Sequence, residues 1–435
     1  MDILFSDITV ITMNDEKPVL LRGFVGIDKK KITFVGEKPP AEKAACVIDG
    51  SRRLLMPGLI NSHSHLPMTV LRGYADDYNL RAWLYDHIFP AESRMDERCV
   101  AAGVRLGLAE CIRFGVTSCS DMYLHLSRIA EAVLESGVKA NITNALLCLD
   151  MENFDFEKDR GVIQVREALS RFKNADNRLI IDAGIHAEYT SAPRAWKESL
   201  AFAEENNLRF QLHLSETEAE HTECVKKYKK TPVEIFYEHG VFNRKTTAAH
   251  CCWVTESDMD ILAANGVTVA HCPVSNLKLS SGIASVAKMR AKGVNVALGT
   301  DGVCSNNNHD LFEEIKTAAL LQKYAAGDPS VLPAYEVIKM ATVAGAISQG
   351  RENETGRIIP GFDADLIMLN LDAPHLFPMY DPRAVVAYSA KGSDVCFTMV
   401  QGRVLYENGE YKTIDIEKAR YEIENYVIPR FKAKA

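Results

Sequence analysis

No stretch of this sequence stays apolar for the roughly 20 residues that a membrane helix needs, and no two cysteines are spaced as C-x-x-C. The first absence argues against a bilayer-spanning helix. The second, in a chain whose eleven cysteines are scattered and odd in number, argues against a disulfide scaffold or a dithiol redox motif and for reduced thiols. Cys251 and Cys252, neighbours in sequence, read as small buried apolar residues. Positive charge is also short: 50 Lys and Arg stand against 58 Asp and Glu, a formal net charge of −8. Nucleic-acid binding draws on clustered cations, so no nucleic-acid partner is expected. The basic runs Lys29-Lys30-Lys31 and Lys226-Lys227 with Lys229-Lys230 read as solvated surface. The opening MDILFSDITVITM carries two acids and no basic start, which makes a poor secretory signal. A cytoplasmic protein without membrane association is therefore expected.

What remains is ordinary for a globular chain: 47% hydrophobic and 25% charged residues over 435 positions, enough for a large barrel plus a smaller appendage. From about residue 57 a short apolar run ends in a polar or ionisable group and a helical stretch follows, eight times over. The runs are LMPGLINSHSH, GVTSCSDM, KANITNALL, LIIDAGIH, FQLHLSE, TTAAHC, VTVAHCP and VNVALGTDG. Segments between them, such as CVAAGVRLGLAECIRFG, have helical apolar spacing and stop near Gly. Alternating strand and helix implies parallel strands, and eight units imply a (β/α)8 TIM-type barrel. An open doubly wound sheet lacks support, because no G-x-G-x-x-G turn follows the first strand.

Both ends read differently. Residues 1–56 and those from about 360 to 411 show short alternating runs with turn-forming breaks, and Asn408-Gly409 between apolar flanks is a hairpin signal. Neither end is long enough for its own core. The expected division is therefore 1–56 as the N-terminal part of a small β-domain, 57–358 as the barrel, and 359–435 as the C-terminal part of that domain plus a closing helix, IEKARYEIENYVIPRF. The fold class expected is α/β, a barrel with a small β-sandwich built from both termini.

In such a barrel, chemistry sits at the C-terminal ends of the strands. The first run ends in His63-Ser64-His65, and residues two apart in an extended segment point to one side, so both imidazoles can face one ion. The fifth run ends in His213, the sixth in His250 and the eighth in Asp301. Neutral imidazole and carboxylate are usual zinc ligands. One histidine at a strand end is most often structural; this set is hard to explain as packing. Glu216, three residues after His213, stands where a carboxylate can reach a metal-activated water.

The motifs PGLINSHSHLPMTVLRGYADD, HLSET, AAHC, HCPVSNLKLSSGIA and LGTDGVCSNN, in this order, resemble the methylthioadenosine/S-adenosylhomocysteine deaminases of the amidohydrolase superfamily. The resemblance extends through GRIIPGFDADLIMLNLD after the barrel. It implies one Zn2+ per subunit on His63, His65, His213 and Asp301, with Fe2+ or Mn2+ able to take the same ligands. Binuclear relatives carry a carboxylated lysine at the end of the fourth strand; LIIDAGIHAEY offers His186 there and no lysine, which favours one metal. The resemblance further implies that Glu216 protonates the ring nitrogen beside the attacked carbon. Asp301 moves a proton from water to the leaving amine, and His250 orients the attacking oxygen. Glu92 matches a glutamate that binds ribose hydroxyls, and His186 a histidine that contacts the nucleoside. Trp83 is a candidate for the base or thioether pocket, and His271 and Ser305 are candidate supporting residues.

The implied activity is hydrolytic deamination of an adenosine-type nucleoside: methylthioadenosine, 5′-deoxyadenosine, adenosine or S-adenosylhomocysteine. The implied partner is that small molecule, and a homo-oligomer is the expected assembly. One position departs from the pattern. Relatives acting on S-adenosylhomocysteine hold its carboxylate with arginines after the third strand; here the first is Asn144, and Arg160 is the candidate for the second. Losing a bidentate Arg–carboxylate contact favours uncharged 5′ groups. Two rival readings are a deaminase or chlorohydrolase of another heterocycle, of guanine or triazine type, and a dead relative acting as a scaffold. Glu92 favours the nucleoside over the first, and the intact ligand set speaks against the second.

Overall fold

The computed structural model describes residues 1–148, 150 and 152–432. Eight parallel strands form its centre: β1 Leu59–Ser64, β2 Val116–Met122, β3 Lys139–Thr143, β4 Leu179–Ile181 with Ala183–Gly184, β5 Phe210–Leu214, β6 Thr246–His250, β7 Thr268–His271 and β8 Asn295–Leu298. β4 breaks at Asp182, yet the ladder continues through it, with Asp182 N–H on the Ile142 carbonyl and Ala183 N–H on that of Arg209, both at 2.9 Å. The ring closes just beyond β8, where Asp301 N–H reaches the His63 carbonyl at 3.0 Å and Ser64 bridges in parallel to Asp301. Gly299 is needed for this closure, because a Cβ there would lie 2.9 Å from both the Cβ and the backbone nitrogen of His63. The strands are therefore those of a TIM-type barrel, and their near-complete burial explains why they read as apolar runs rather than alternating ones.

Helices cover the strands, and their ends follow local chemistry. The longest, Glu97–Arg113, starts where Asp96 accepts the Cys99 N–H at 3.0 Å and stops before Gly115, whose φ is +79°. Such caps satisfy amide donors that the first helical turn leaves free. The closing helix appears as three continuous pieces, Ile416–Glu422, Ile423–Val427 and Ile428–Lys432. It packs on the barrel wall through Tyr426, which donates to Asp96, and through Arg98 stacked 4.0 Å from the Tyr426 ring.

Strands from the two ends share one nine-stranded sheet, in which Arg53–Pro57 runs antiparallel to Leu366–Asn370 with Leu55 opposite Met368. Hydrogen bonding is continuous across all nine, and register shifts around Asp7 in the strand Ile3–Ile11 mark bulges of the kind that bend a strand. Its core is Phe5, Ile8, Val25, Leu55, Leu366 and Phe397, with Phe5 and Phe397 edge to face at 5.8 Å. Asn408 and Gly409, both at positive φ, make the two-residue turn between Arg403–Glu407 and Glu410–Tyr411.

This sheet is joined to the barrel by a buried ion cluster. Lys139, at the start of β3 and fully buried, places Nζ 2.6 Å from both Asp363 Oδ2 and Asp365 Oδ2. Asp363 is also held by Lys31 at 2.7 Å and by Gln401 Nε2 at 3.1 Å. The cluster lies at the N-terminal ends of the strands, the face of such barrels that serves stability rather than chemistry.

Candidate active site

At the opposite face the strand ends deliver polar groups to one point. His63 lies within β1 and His65 just past it; His213 is on β5, His250 ends β6, and Asp301 follows β8. Several adopt backbone conformations that side chains rarely take: φ is +71° at His250, +61° at Asp301 and +46° at Ser215. Such strain costs about 1–3 kcal/mol per residue and collects at functional sites. Ligand atoms of His63, His65 and His213 lie within 4.8 Å of one another, and so do those of His63, His250 and Asp301.

The ring orientations fit a cation at this point. The Nδ1 of His65 is 2.6 Å from the Met122 carbonyl and that of His213 is 2.7 Å from the His186 carbonyl. A carbonyl can only accept, so both rings carry a proton on Nδ1 and turn Nε2 inward, the arrangement typical of metal-binding histidines. His63 Nε2 is buried with no hydrogen-bond partner among the described residues. Asp301 Oδ2 accepts from Ser275 and Ser305 at 2.6 and 2.7 Å, while Oδ1 faces His65 Nε2 at 3.2 Å and His63 Nε2 at 3.6 Å. Burial holds His63 well below its ordinary pKa. Burial opposes charge on His65 as well, but the hydrogen bond and charge of Asp301 carry it up to about 9. Three nitrogens and one carboxylate with aligned supports suit zinc.

Around this point opens a cavity whose wall includes Trp83, Phe89, Glu92 and Leu279. Glu216 enters it from the turn after β5, fully inside, with Oε1 accepting from Ser281 at 2.9 Å and Oε2 3.7 Å from His250 Nε2. Burial raises its pKa, with His250 opposing. His250 is fixed through Nδ1, 2.8 Å from Asn276 Oδ1. Glu92 lies in the cavity wall, its pKa raised by burial, with Tyr123 opposing that rise. His186 presents its ring 4.7 Å from that of His213, with Nδ1 2.9 Å from Thr190 Oγ1; burial drops its pKa to about 3, so it is neutral.

Trp83 lines the same cavity, 6% exposed, with its indole N–H lacking a protein partner among the described residues. It begins the π-helical turn Trp83–Ile88, a feature often found at functional sites. Asn144 lines the cavity too, and its Nδ2 donates to Gln164 Oε1 at 2.8 Å. Arg160 is not brought there. It is exposed, and its guanidinium lies 3.2 Å from His125 Nε2. His271 is buried with neither ring nitrogen partnered and lies outside the cavity lining, whereas Ser305 supports Asp301 as described. Sequence reasoning passed over Ser275, Asn276, Ser281 and Tyr123. The first three lie in HCPVSNLKLSSGIA, whose short helix Pro273–Lys278 turns back over the strand ends, and no spacing rule announces that.

Residues 54–405 match the amidohydrolase family. The chain is 42% identical over 398 residues to the 5′-deoxyadenosine deaminase of Methanothermobacter thermautotrophicus, covering 91% of each. It is 39% identical over 431 residues to the 5-methylthioadenosine/S-adenosylhomocysteine deaminase of Acetivibrio thermocellus, covering 98% of each. Among solved structures, an adenosine deaminase from Xanthomonas campestris with bound zinc superimposes with a TM-score of 0.92 at 29% identity, over 99% of this chain and 98% of that one. The barrel, the inward-facing histidines and these likenesses agree: this chain belongs to the amidohydrolase family.

Proposed function

We propose that the protein hydrolytically deaminates an adenosine-type nucleoside to its inosine analogue and ammonia, using zinc held by His63, His65, His213 and Asp301. The observation that carries this reading is a single cavity joining that ligand cluster and Glu216 to a second carboxylate, Glu92, in a chain so similar to nucleoside deaminases. Bound zinc supplies Lewis acidity, which brings the pKa of a water toward about 7.

The chain's own groups do the rest. Glu216 protonates the purine nitrogen beside the attacked carbon. Asp301, oriented by Ser275 and Ser305, takes a proton from the water and gives it to the departing amine. His250, fixed by Asn276, orients the attacking oxygen. Glu92 accepts the ribose hydroxyls, His186 contacts the nucleoside as a neutral ring, and Trp83 offers its free N–H to it. Arg160, bonded to His125 outside the cavity, is left out of this set. The 5′ group rests on an apolar wall that includes Leu80, Leu84, Phe89 and Leu124. No Lys or Arg is among the described residues lining the cavity, which favours 5′-deoxyadenosine and methylthioadenosine over S-adenosylhomocysteine.

The same reading takes residues 57–358 as the catalytic barrel and 1–56 with 359–435 as the accessory domain. It takes the protein as cytoplasmic and without nucleic-acid partners. No described helix is long and apolar enough to cross a membrane. We read it as a homo-oligomer, supported by exposed Tyr78, Tyr85, Leu277 and Ile283 on the segments that also line the cavity. The test is ammonia release from adenosine, 5′-deoxyadenosine, methylthioadenosine, S-adenosylhomocysteine, guanine and cytosine, with chloride release followed for a chlorotriazine. Turnover confined to the heterocycles without ribose would overturn the assignment.

A further inference from the structure

Glu220 is a buried acid that the chemistry above does not use, and its contacts are unlike those of its counterparts. It is the third residue of the helix Glu218–Tyr228, whose N-cap Thr217 accepts the Glu220 N–H at 3.2 Å. In a capping box the acid at this position reaches back to the N-cap's own N–H. Two α-helices among the described residues do so: Glu234 takes the Thr231 N–H and Asp258 the Thr255 N–H, each at 2.8 Å. Glu220 bypasses Thr217. Its Oε1 accepts the Ser215 N–H at 3.0 Å and its Oε2 the Glu216 N–H at 2.7 Å.

Those two amides belong to the sharp turn that carries Glu216 into the cavity. Ser215 holds φ at +46°, a conformation unfavourable for a residue with a Cβ, and its hydroxyl has no partner among the described residues. Something must hold that turn, and the two charge-assisted bonds from one carboxylate do so. The arrangement is expensive. Glu220 is 5% exposed, burial and the neighbouring Glu216 charge push its pKa up to about 7, and the buried Glu188 adds to the crowding of acids. A cap serving the helix alone needs none of this.

We propose that Glu220 is a positioning residue for catalysis, clamping the Ser215–Glu216 turn so that the Glu216 carboxylate meets both Ser281 and the substrate ring nitrogen. The inference rests on the reading of Glu216 as proton carrier, and Glu216→Gln alone tests that reading: full activity in that variant sinks the mechanism whatever Glu220 does.

The clamp is tested by a double-mutant cycle in the zinc-loaded enzyme, which separates a residue acting through another from one acting alone. Glu220→Gln and Glu220→Asp are each made in the wild-type and Glu216→Gln backgrounds, with metal content and thermal midpoint measured throughout. Glu234→Ala, which breaks the ordinary capping box of another helix, is the control. In the wild-type background each Glu220 variant should lower kcat by about ten- to hundredfold, with KM within threefold and zinc still near one equivalent. In the Glu216→Gln background the same change should cost less than threefold. Glu234→Ala should lower the midpoint and leave kcat alone. Additive losses, an unchanged kcat, a loss tracking zinc, or insoluble Gln and Asp variants alike would each assign Glu220 a merely structural role and overturn the proposal.

Discussion

Replacing Asn144 by arginine is the sharpest test of what the cavity accepts. Asn144 is 4% exposed and lines the cavity, and no described lining residue is Lys or Arg. The amino-acid carboxylate of S-adenosylhomocysteine therefore enters without a cationic partner, among side chains that include Glu92, Glu216 and Asp301. A hydrogen bond to a charged group is worth about 1.5–3 kcal/mol, or roughly ten- to hundredfold in kcat/KM. The wild-type protein should thus prefer 5′-deoxyadenosine or methylthioadenosine to S-adenosylhomocysteine by about that factor.

The substitution is structurally tolerable. Asn144 gives up one bond to Gln164 Oε1, but that oxygen keeps the His125 N–H at 2.7 Å and the Leu126 N–H at 3.3 Å. No buried acceptor is orphaned, so the stability cost should stay near 1 kcal/mol. Asn144→Arg should then narrow the gap by raising kcat/KM for S-adenosylhomocysteine about tenfold while changing methylthioadenosine less than threefold. A neutral 5′-alkylthio analogue of similar length separates charge from size: the wild-type protein should accept it far better than S-adenosylhomocysteine. The reasoning is refuted if S-adenosylhomocysteine is the best wild-type substrate, or if the neutral analogue is equally poor.

Other perturbations reach other parts of the structure. Chelation should abolish turnover, and one equivalent of zinc per chain should restore it; two equivalents, both required, would contradict a single centre built from His63, His65, His213 and Asp301. Glu92→Gln should raise KM for a ribonucleoside yet hardly worsen the already poor handling of its 2′,3′-dideoxy counterpart, since the hydroxyls it serves are gone; equal damage to both would remove Glu92 from the ribose. Lys139→Met takes the ammonium from buried Asp365 and leaves Asp363 only Lys31 as a cation, and breaking such a buried pair costs about 3–5 kcal/mol. Denaturant unfolding should show that loss, with KM of the surviving folded enzyme unchanged because Lys139 lies at the far end of the barrel.

The barrel was legible because every one of its eight runs couples a short buried strand to a polar residue at its end, so strand ends and candidate ligands were found by the same pattern. His63 and His65 show why: the two-residue repeat of a strand is a geometric statement that survives without coordinates. Local order was less legible where it depends on a neighbour. The run LIIDAGIH reads as one strand but breaks at Asp182, whose carboxylate takes the amides of Gln211 at 2.9 Å and Asn141 at 3.2 Å. The long connection after β3 has no apolar period to fix its path, so Arg160 could be aligned toward the substrate and yet project to His125. Supports such as Ser275 and Asn276 come from a helix that meets Asp301 and His250 only once the ring has closed.

Glu220 marks the limit most plainly. Glu220, Glu234 and Asp258 each stand three residues after a threonine that opens a helix, and sequence treats them as one motif. Two of them close an ordinary box on their own threonine, while the third reaches past it to the turn that carries Glu216. What separates them is the backbone before the cap: Ser215 must turn into the left-handed region for Glu216 to enter the cavity, and that turn is what swings two more amides toward the carboxylate. The chemical signal is thus a conformation of the preceding residue, set by the joining of β5 to its helix. Spacing alone cannot express it.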